Sequence, residues 1–76
     1  MTFNNNILLI VRQSDGIDYN DLFSKIMPQY KNEASAKSAL SRALKDLSSF
    51  GLVKRDGRKI FITDKGIASI LSLIHI

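Results

Sequence analysis

Hydrophobic and polar positions change rhythm several times along this chain, and each change marks an element. From Asn4 to about Ser14 the run Ile7-Leu8-Leu9-Ile10-Val11 is apolar nearly all round a helix. Such a segment reads as a first helix that is buried or part of an interface. It stops at Asp15-Gly16, a turn signal, and Ile17 can add a short extended segment. Asp18 then stands as the N-cap of a second helix. Leu22, Phe23, Ile26 and Met27 form its apolar face and Pro28 ends it. The stretch PQYKN follows as a loop.

The third helix reads from Glu33 to Phe50, capped by Asn32 and stopped by Gly51 in a left-handed conformation. At about 100° per residue, Ala36, Leu40, Ala43, Leu44 and Leu47 share one face. Ser38, Ser41, Arg42, Lys45 and Ser49 share the opposite one, with Ser35 at its margin. An ordinary solvated helix face mixes Glu with Lys in i,i+4 pairs. Here small hydroxyls are interleaved with cations, and the only nearby anion is Asp46 at the edge. Short serines let another surface approach the backbone, and their hydroxyls can bond phosphates or base edges. The plainer alternative is a solvated face that happens to be rich in serine.

After Gly51 the period drops to that of strands. Leu52-Val53 and Ile60-Phe61-Ile62 flank Asp56-Gly57, a strong short-range hairpin signal. A two-residue type I′ turn at Asp56-Gly57 pairs Arg55 with Arg58, Lys54 with Lys59 and Val53 with Ile60. Like charges facing each other on a ladder destabilise it, by up to about 1 kcal/mol per pair. Lysine on an edge strand protects against edge-to-edge pairing, but that purpose does not require four cations beside one tip. The expectation is that an anionic partner relieves the repulsion. Thr63 or Asp64 caps a last helix, with Ile67, Ile70, Leu71 and Ile74 as its buried stripe and Leu73 and Ile76 outside it.

These elements predict a mainly α chain with a small β-hairpin, an α+β fold, as one domain over residues 1–76. A core this small covers only about 60% of the unfolded surface, so the chain is expected to be marginal alone or helped by a partner. Charge sharpens the picture. The net charge is +4, yet residues 1–36 hold three cations against four anions, and residues 37–59 hold seven cations against Asp46 and Asp56. A continuous basic third of this kind is the electrostatic footprint of an anionic partner, nucleic acid first among candidates.

Catalytic chemistry has little to work with. There is no cysteine, so no thiolate nucleophile or disulfide, and neither paired histidines at metal spacing nor a glycine-rich phosphate loop. The one histidine, His75, reads as a solvated residue or a cation at a helix end. Asp15, Asp18 and Asp21 read as turn and cap residues. The expectation is a non-enzyme without cofactor or metal. No apolar run approaches membrane-spanning length, the start MTFNNN lacks a basic signal region, and the cytoplasm is the default compartment.

Helix, helix, longer helix and charged hairpin is also the element order of a winged helix-turn-helix domain. The stretch SALSRALKDLSSFGLVKRDGRKIFITDKG, residues 38–66, resembles the recognition helix and wing of small prokaryotic and archaeal regulators of that type. The resemblance lies in the Ser-rich helix start, the Arg42/Leu44/Leu47 rhythm, Gly51-Leu52-Val53 at the helix exit, and Ile62-Thr63-Asp64-Lys65-Gly66 at the end of the wing. Residues 7–27 match only loosely, and PQYKN is longer than the tight turn of the simplest helix-turn-helix.

What the resemblance implies is a three-helix core plus wing and C-terminal helix, binding double-stranded DNA as a transcriptional regulator. The helix over 33–50 enters the major groove and the hairpin over 52–63 lies on phosphates or the minor groove. On that basis Ser35, Ser38, Ser41, Arg42 and Lys45 are groove residues, with Arg42 the best base reader. Arg55, Arg58 and Lys59 are wing contacts, and Lys54 and Lys37 supporting phosphate ligands. A homodimer through residues 7–11 and 67–76 is a further expectation. Two alternatives stand beside DNA binding: a winged-helix module that docks onto protein in a larger complex, and RNA binding.

Overall fold

The computed structural model describes residues 3–74, and side-chain burial over residues 3–71. In chain order it holds α1 (Phe3–Gln13), β1 (Ile17–Asp18), α2 (Tyr19–Ile26), a 3-10 turn (Met27–Gln29), α3 (Glu33–Ser49), β2 (Val53–Asp56), β3 (Lys59–Ile62) and α4 (Asp64–Ile74). It is a mainly helical α+β fold with a small three-stranded antiparallel sheet in the order β1-β3-β2. The third strand is the main addition to the expected hairpin. Ile17 contributes to it, and β3 becomes the central strand.

One cluster of apolar side chains unites these elements. Ile7, Leu8 and Val11 of α1 are fully buried, and α1 touches α3, α4 and β3. The segment is therefore the axis of the chain's own core. Of the residues 7–11 expected at a dimer surface, Ile7, Leu8 and Val11 are buried within the chain, and Leu9 and Ile10 are partly packed on its core. At the start of α1, Phe3 meets Tyr30 edge-to-face with ring centroids 5.8 Å apart, which closes the loop after α2 against α1.

Caps define the helices as their sequences suggest. The Asp18 carboxylate accepts from Asn20 N at 2.8 Å and starts α2, and Asn32 Oδ1 accepts from Ser35 N at 2.8 Å and starts α3. Phe50 is the C-cap of α3, and Gly51 follows at φ +74°. At α4 the cap is Thr63: its hydroxyl accepts from Gly66 N at 3.0 Å and donates to Gly51 O at 2.6 Å. Thr63 N also donates to Leu52 O at 3.1 Å. The two segments 51–53 and 62–66 thus clasp each other at the root of the hairpin. Gly66 is buried there so tightly that a Cβ would lie 2.2 Å from the Leu52 carbonyl oxygen.

In α4 the stripe is narrower than its spacing predicts. Ile70 is buried and Ile67 half-buried, but Leu71 is 44% exposed. The expectations for the side chains of Leu73 and Ile74, and those for His75 and Ile76, lie outside the described residues. No helix among the described residues is long and apolar enough to cross a membrane.

Candidate nucleic-acid interface

The helical half of the candidate site follows directly from periodicity. Ala36, Leu40, Ala43, Leu44 and Leu47 are all buried, which turns the other side of α3 outward. Ser35, Lys37, Ser38, Ser41, Arg42 and Lys45 are all exposed. Ser35, Ser38 and Arg42 surround one open depression of about 420 Å³, together with Ala34 and Ala39. They lie on successive turns, so a ligand laid along the helix meets two hydroxyls and a guanidinium in a row.

The strand half departs from the sequence expectation. The hairpin pairs Val53 with Ile62, Lys54 with Phe61, Arg55 with Ile60 and Asp56 with Lys59. Its two-residue loop is therefore Gly57-Arg58, not Asp56-Gly57. Gly57 has φ +62°, and among the described residues no other type has positive φ. That sign pattern belongs to a II′ turn, which needs a glycine only at its first central position; a I′ turn here would force Arg58 into the left-handed region as well, and the one expected at Asp56-Gly57 would force Asp56. The observed register also replaces two facing pairs of cations by one pair of opposite charges. The like-charge conflict inferred from the sequence does not exist in this fold.

Pairing with β1 extends these rungs. Ile17 faces Ile60 and Asp18 faces Lys59. Directly opposed residues share a sheet face, so one face carries Ile17, Ile60 and Arg55, and the other carries Asp18, Lys59 and Asp56. Lys59 stands between two carboxylates. It also lines an open cleft of about 640 Å³ whose other charged walls are Asp15, Asp18, Asp21 and Lys25. Beyond β1, Asp15 Oδ1 accepts from Ile62 N at 3.0 Å and satisfies the edge of the central strand.

Two contacts tie the hairpin tip to the start of α2. Tyr19 N donates to Arg58 O at 2.7 Å. The Arg55 guanidinium lies over the Tyr19 ring, 5.8 Å from its centroid, within the reach of a cation–π contact. No sequence signal joins residues 19 and 55. Lys54, Arg55, Arg58 and Lys59 are all exposed, but they are not one patch: two sheet faces and the loop divide them.

Phe50 is a feature that the helical pattern does not flag. It is 62% exposed at the exit of α3. Among the described residues, no group of three or more His, Cys, Asp or Glu side chains is placed to hold a metal ion. No known family model, curated protein or solved structure matches this chain.

Proposed function

We propose that the chain binds double-stranded DNA as a winged helix-turn-helix regulator, with α3 in the major groove and the β2–β3 hairpin as a wing over the phosphates. One observation carries this reading: the face of α3 opposite the core presents Ser35, Ser38, Ser41, Arg42 and Lys45, all exposed and without a carboxylate among them. A helix of about 10–12 Å diameter fits a major groove about 12 Å wide. Serines at the contact allow the backbone close, and Arg42 has the reach and the paired donors to bond guanine N7 and O6. The seven exposed cations between Lys37 and Lys59 supply the sequence-independent attraction.

The strand arrangement also favours this reading. A wing must be stiff to hold its cations against a backbone, and here β1 makes β3 a central strand while Tyr19 N holds the loop at Arg58 O. Docking onto protein is the second reading, and the exposed Phe50 at the α3 exit is the observation that favours it.

Salt titration separates the two. With four to six phosphates neutralised per protomer, affinity for a duplex falls roughly 10²–10³-fold between 50 and 200 mM salt. Arg42→Ala then costs about 1–3 kcal/mol and relaxes preference at one base position. A salt slope near zero rejects nucleic acid and favours docking through Phe50. Equal loss across all sequences on Arg42→Ala makes Arg42 a phosphate ligand and not a base reader.

A further inference from the structure

The four hairpin cations are chemically unequal, and their surroundings assign them different work. Lys59 has Asp18 on one side of its rung and Asp56 on the other, and shares its cleft with Asp15 and Asp21. A phosphate approaching Lys59 meets Asp18 and Asp56 along the rung and Asp15 and Asp21 across the cleft, against Lys25 as the cleft's one other cation, so the local field disfavours the ligand. Arg55 sits on the same sheet face as Ile17 and Ile60, with its guanidinium over the Tyr19 ring. A guanidinium over a ring face is drawn to it, and this contact ties β2 to the start of α2. Lys54 faces Phe61, with no carboxylate in its rung, and Arg58 is in the loop with its backbone anchored at Tyr19 N.

We propose that only Lys54 and Arg58 are phosphate ligands of the hairpin, that the carboxylates around Lys59 keep phosphate from it, and that Tyr19 and Arg55 form a positioning pair that sets the angle of the wing. This rests on the DNA-binding reading above, and it lowers the ceiling on phosphate contacts from seven cations to five. It also brings into the binding apparatus a residue of α2, Tyr19, which touches no nucleic acid itself.

The experiment is a salt series by fluorescence anisotropy on the full chain, with one labelled duplex of mixed sequence. It compares Lys54→Gln, Arg55→Gln, Arg58→Gln and Lys59→Gln, all at exposed positions where a neutral side chain of similar length leaves the fold intact. Lys54→Gln and Arg58→Gln each lower the slope of log K against log salt by about 0.9 and weaken binding roughly five- to tenfold at 0.1 M salt. Lys59→Gln leaves the slope unchanged. Arg55→Gln weakens binding about two- to fivefold at every salt concentration, again with the slope unchanged. Tyr19→Leu reproduces the Arg55→Gln loss, Tyr19→Phe restores binding because the ring face is kept, and the double variant Tyr19→Leu/Arg55→Gln loses no more than either alone.

A drop in slope for Arg55→Gln or Lys59→Gln equal to that for Arg58→Gln overturns the assignment and leaves DNA binding standing. A flat slope for the unaltered chain overturns both. If Tyr19→Leu does not fold, the four glutamine variants still decide: weaker binding at every salt concentration with an unchanged slope for Arg55→Gln supports a positioning role, and a changed slope or no loss overturns it.

Discussion

Helix α3 and the hairpin that follows it were equally explicit in sequence, yet only the helix folds as its pattern predicts. Five apolar residues spread over twelve positions define the buried side of α3, and every one of them is buried. A helix has one period, so each additional residue confirms or refutes the same face. The hairpin has a period too, but moving one strand by two residues preserves it. Val53 and Ile60 turn toward the core in both registers, with Arg55 on the same sheet face and Lys54 and Lys59 on the other. Alternation therefore reports the face and is silent about the partner. The partner is decided by which residue adopts positive φ, and here that is Gly57 alone. Charge then tells the same story as the turn, since Asp56 gains Lys59 and two facing cation pairs vanish.

The contrast can be broken most severely at the root of the hairpin, where α3's exit and α4's start meet. Gly66→Ala places a methyl 2.2 Å from Leu52 O and 2.8 Å from Ile62 Cγ1. The first neighbour is backbone and cannot rotate away. Overpacking of this kind costs about 3 kcal/mol or more. A chain of this length has a total stability of only about 4–11 kcal/mol, so the loss is a large part of the whole. Urea unfolding followed by circular dichroism measures it. A cost below 1 kcal/mol would mean that the clasp at 51–53 and 62–66 is loose and that the hairpin does not lean on α4.

That clasp shows why some of the fold was legible and some was not. A helix start at Thr63 or Asp64 was readable, because cap chemistry is local. The contact of Thr63 and Gly66 with Gly51 and Leu52 joins segments eleven or more residues apart, and no local pattern carries it. The same holds for β1: Ile17 suggests an extended residue, but only its pairing with Ile60 makes β3 central. Among the candidate site residues, those on α3 were placed by one periodicity. Those on the hairpin depended on the turn, on β1 and on Tyr19, three features outside the hairpin's own alternation. Leu71 failed for a related reason. Spacing places it beside Ile67 and Ile70, but 44% of its surface stays exposed.

A smaller effect checks the part that sequence described well. Asn32 Oδ1 accepts from Ser35 N at 2.8 Å at the first turn of α3. Asn32→Ala removes that bond and costs about 1 kcal/mol, while Asn32→Ser or Asn32→Asp keeps most of it. The urea midpoint falls with the m-value unchanged, because the surface exposed on unfolding is the same. An equal loss for serine and alanine would show that the cap bond contributes nothing and that packing of the five apolar residues alone starts the helix.

The smallest effect is the most discriminating, because it exists in one register and nearly vanishes in the other. In the observed pairing Lys59 lies between Asp18 and Asp56. Lys59→Glu puts three carboxylates in one rung, beside a cleft that already holds Asp15 and Asp21, and destabilises the chain by about 0.5–1 kcal/mol. The loss shrinks at 0.5 M salt, since all the groups concerned are near the surface and exposed charges are screened within a few ångströms there. Lys59→Gln removes the attraction without adding repulsion and falls between the two. In a hairpin closed by Asp56-Gly57 the residue opposite would be Lys54. The same glutamate would then relieve a clash of cations on that side while meeting Asp18 on the other, and the two effects would nearly cancel. Urea midpoints for the unaltered chain and the two variants, at low and high salt, therefore separate the registers by whether a salt-sensitive loss appears. No loss, or a gain, for Lys59→Glu would restore the turn at Asp56-Gly57 and, with it, four cations in need of an anion. A salt-sensitive loss keeps Lys59 between its two aspartates and leaves Lys54 and Arg58 as the free charges of the hairpin.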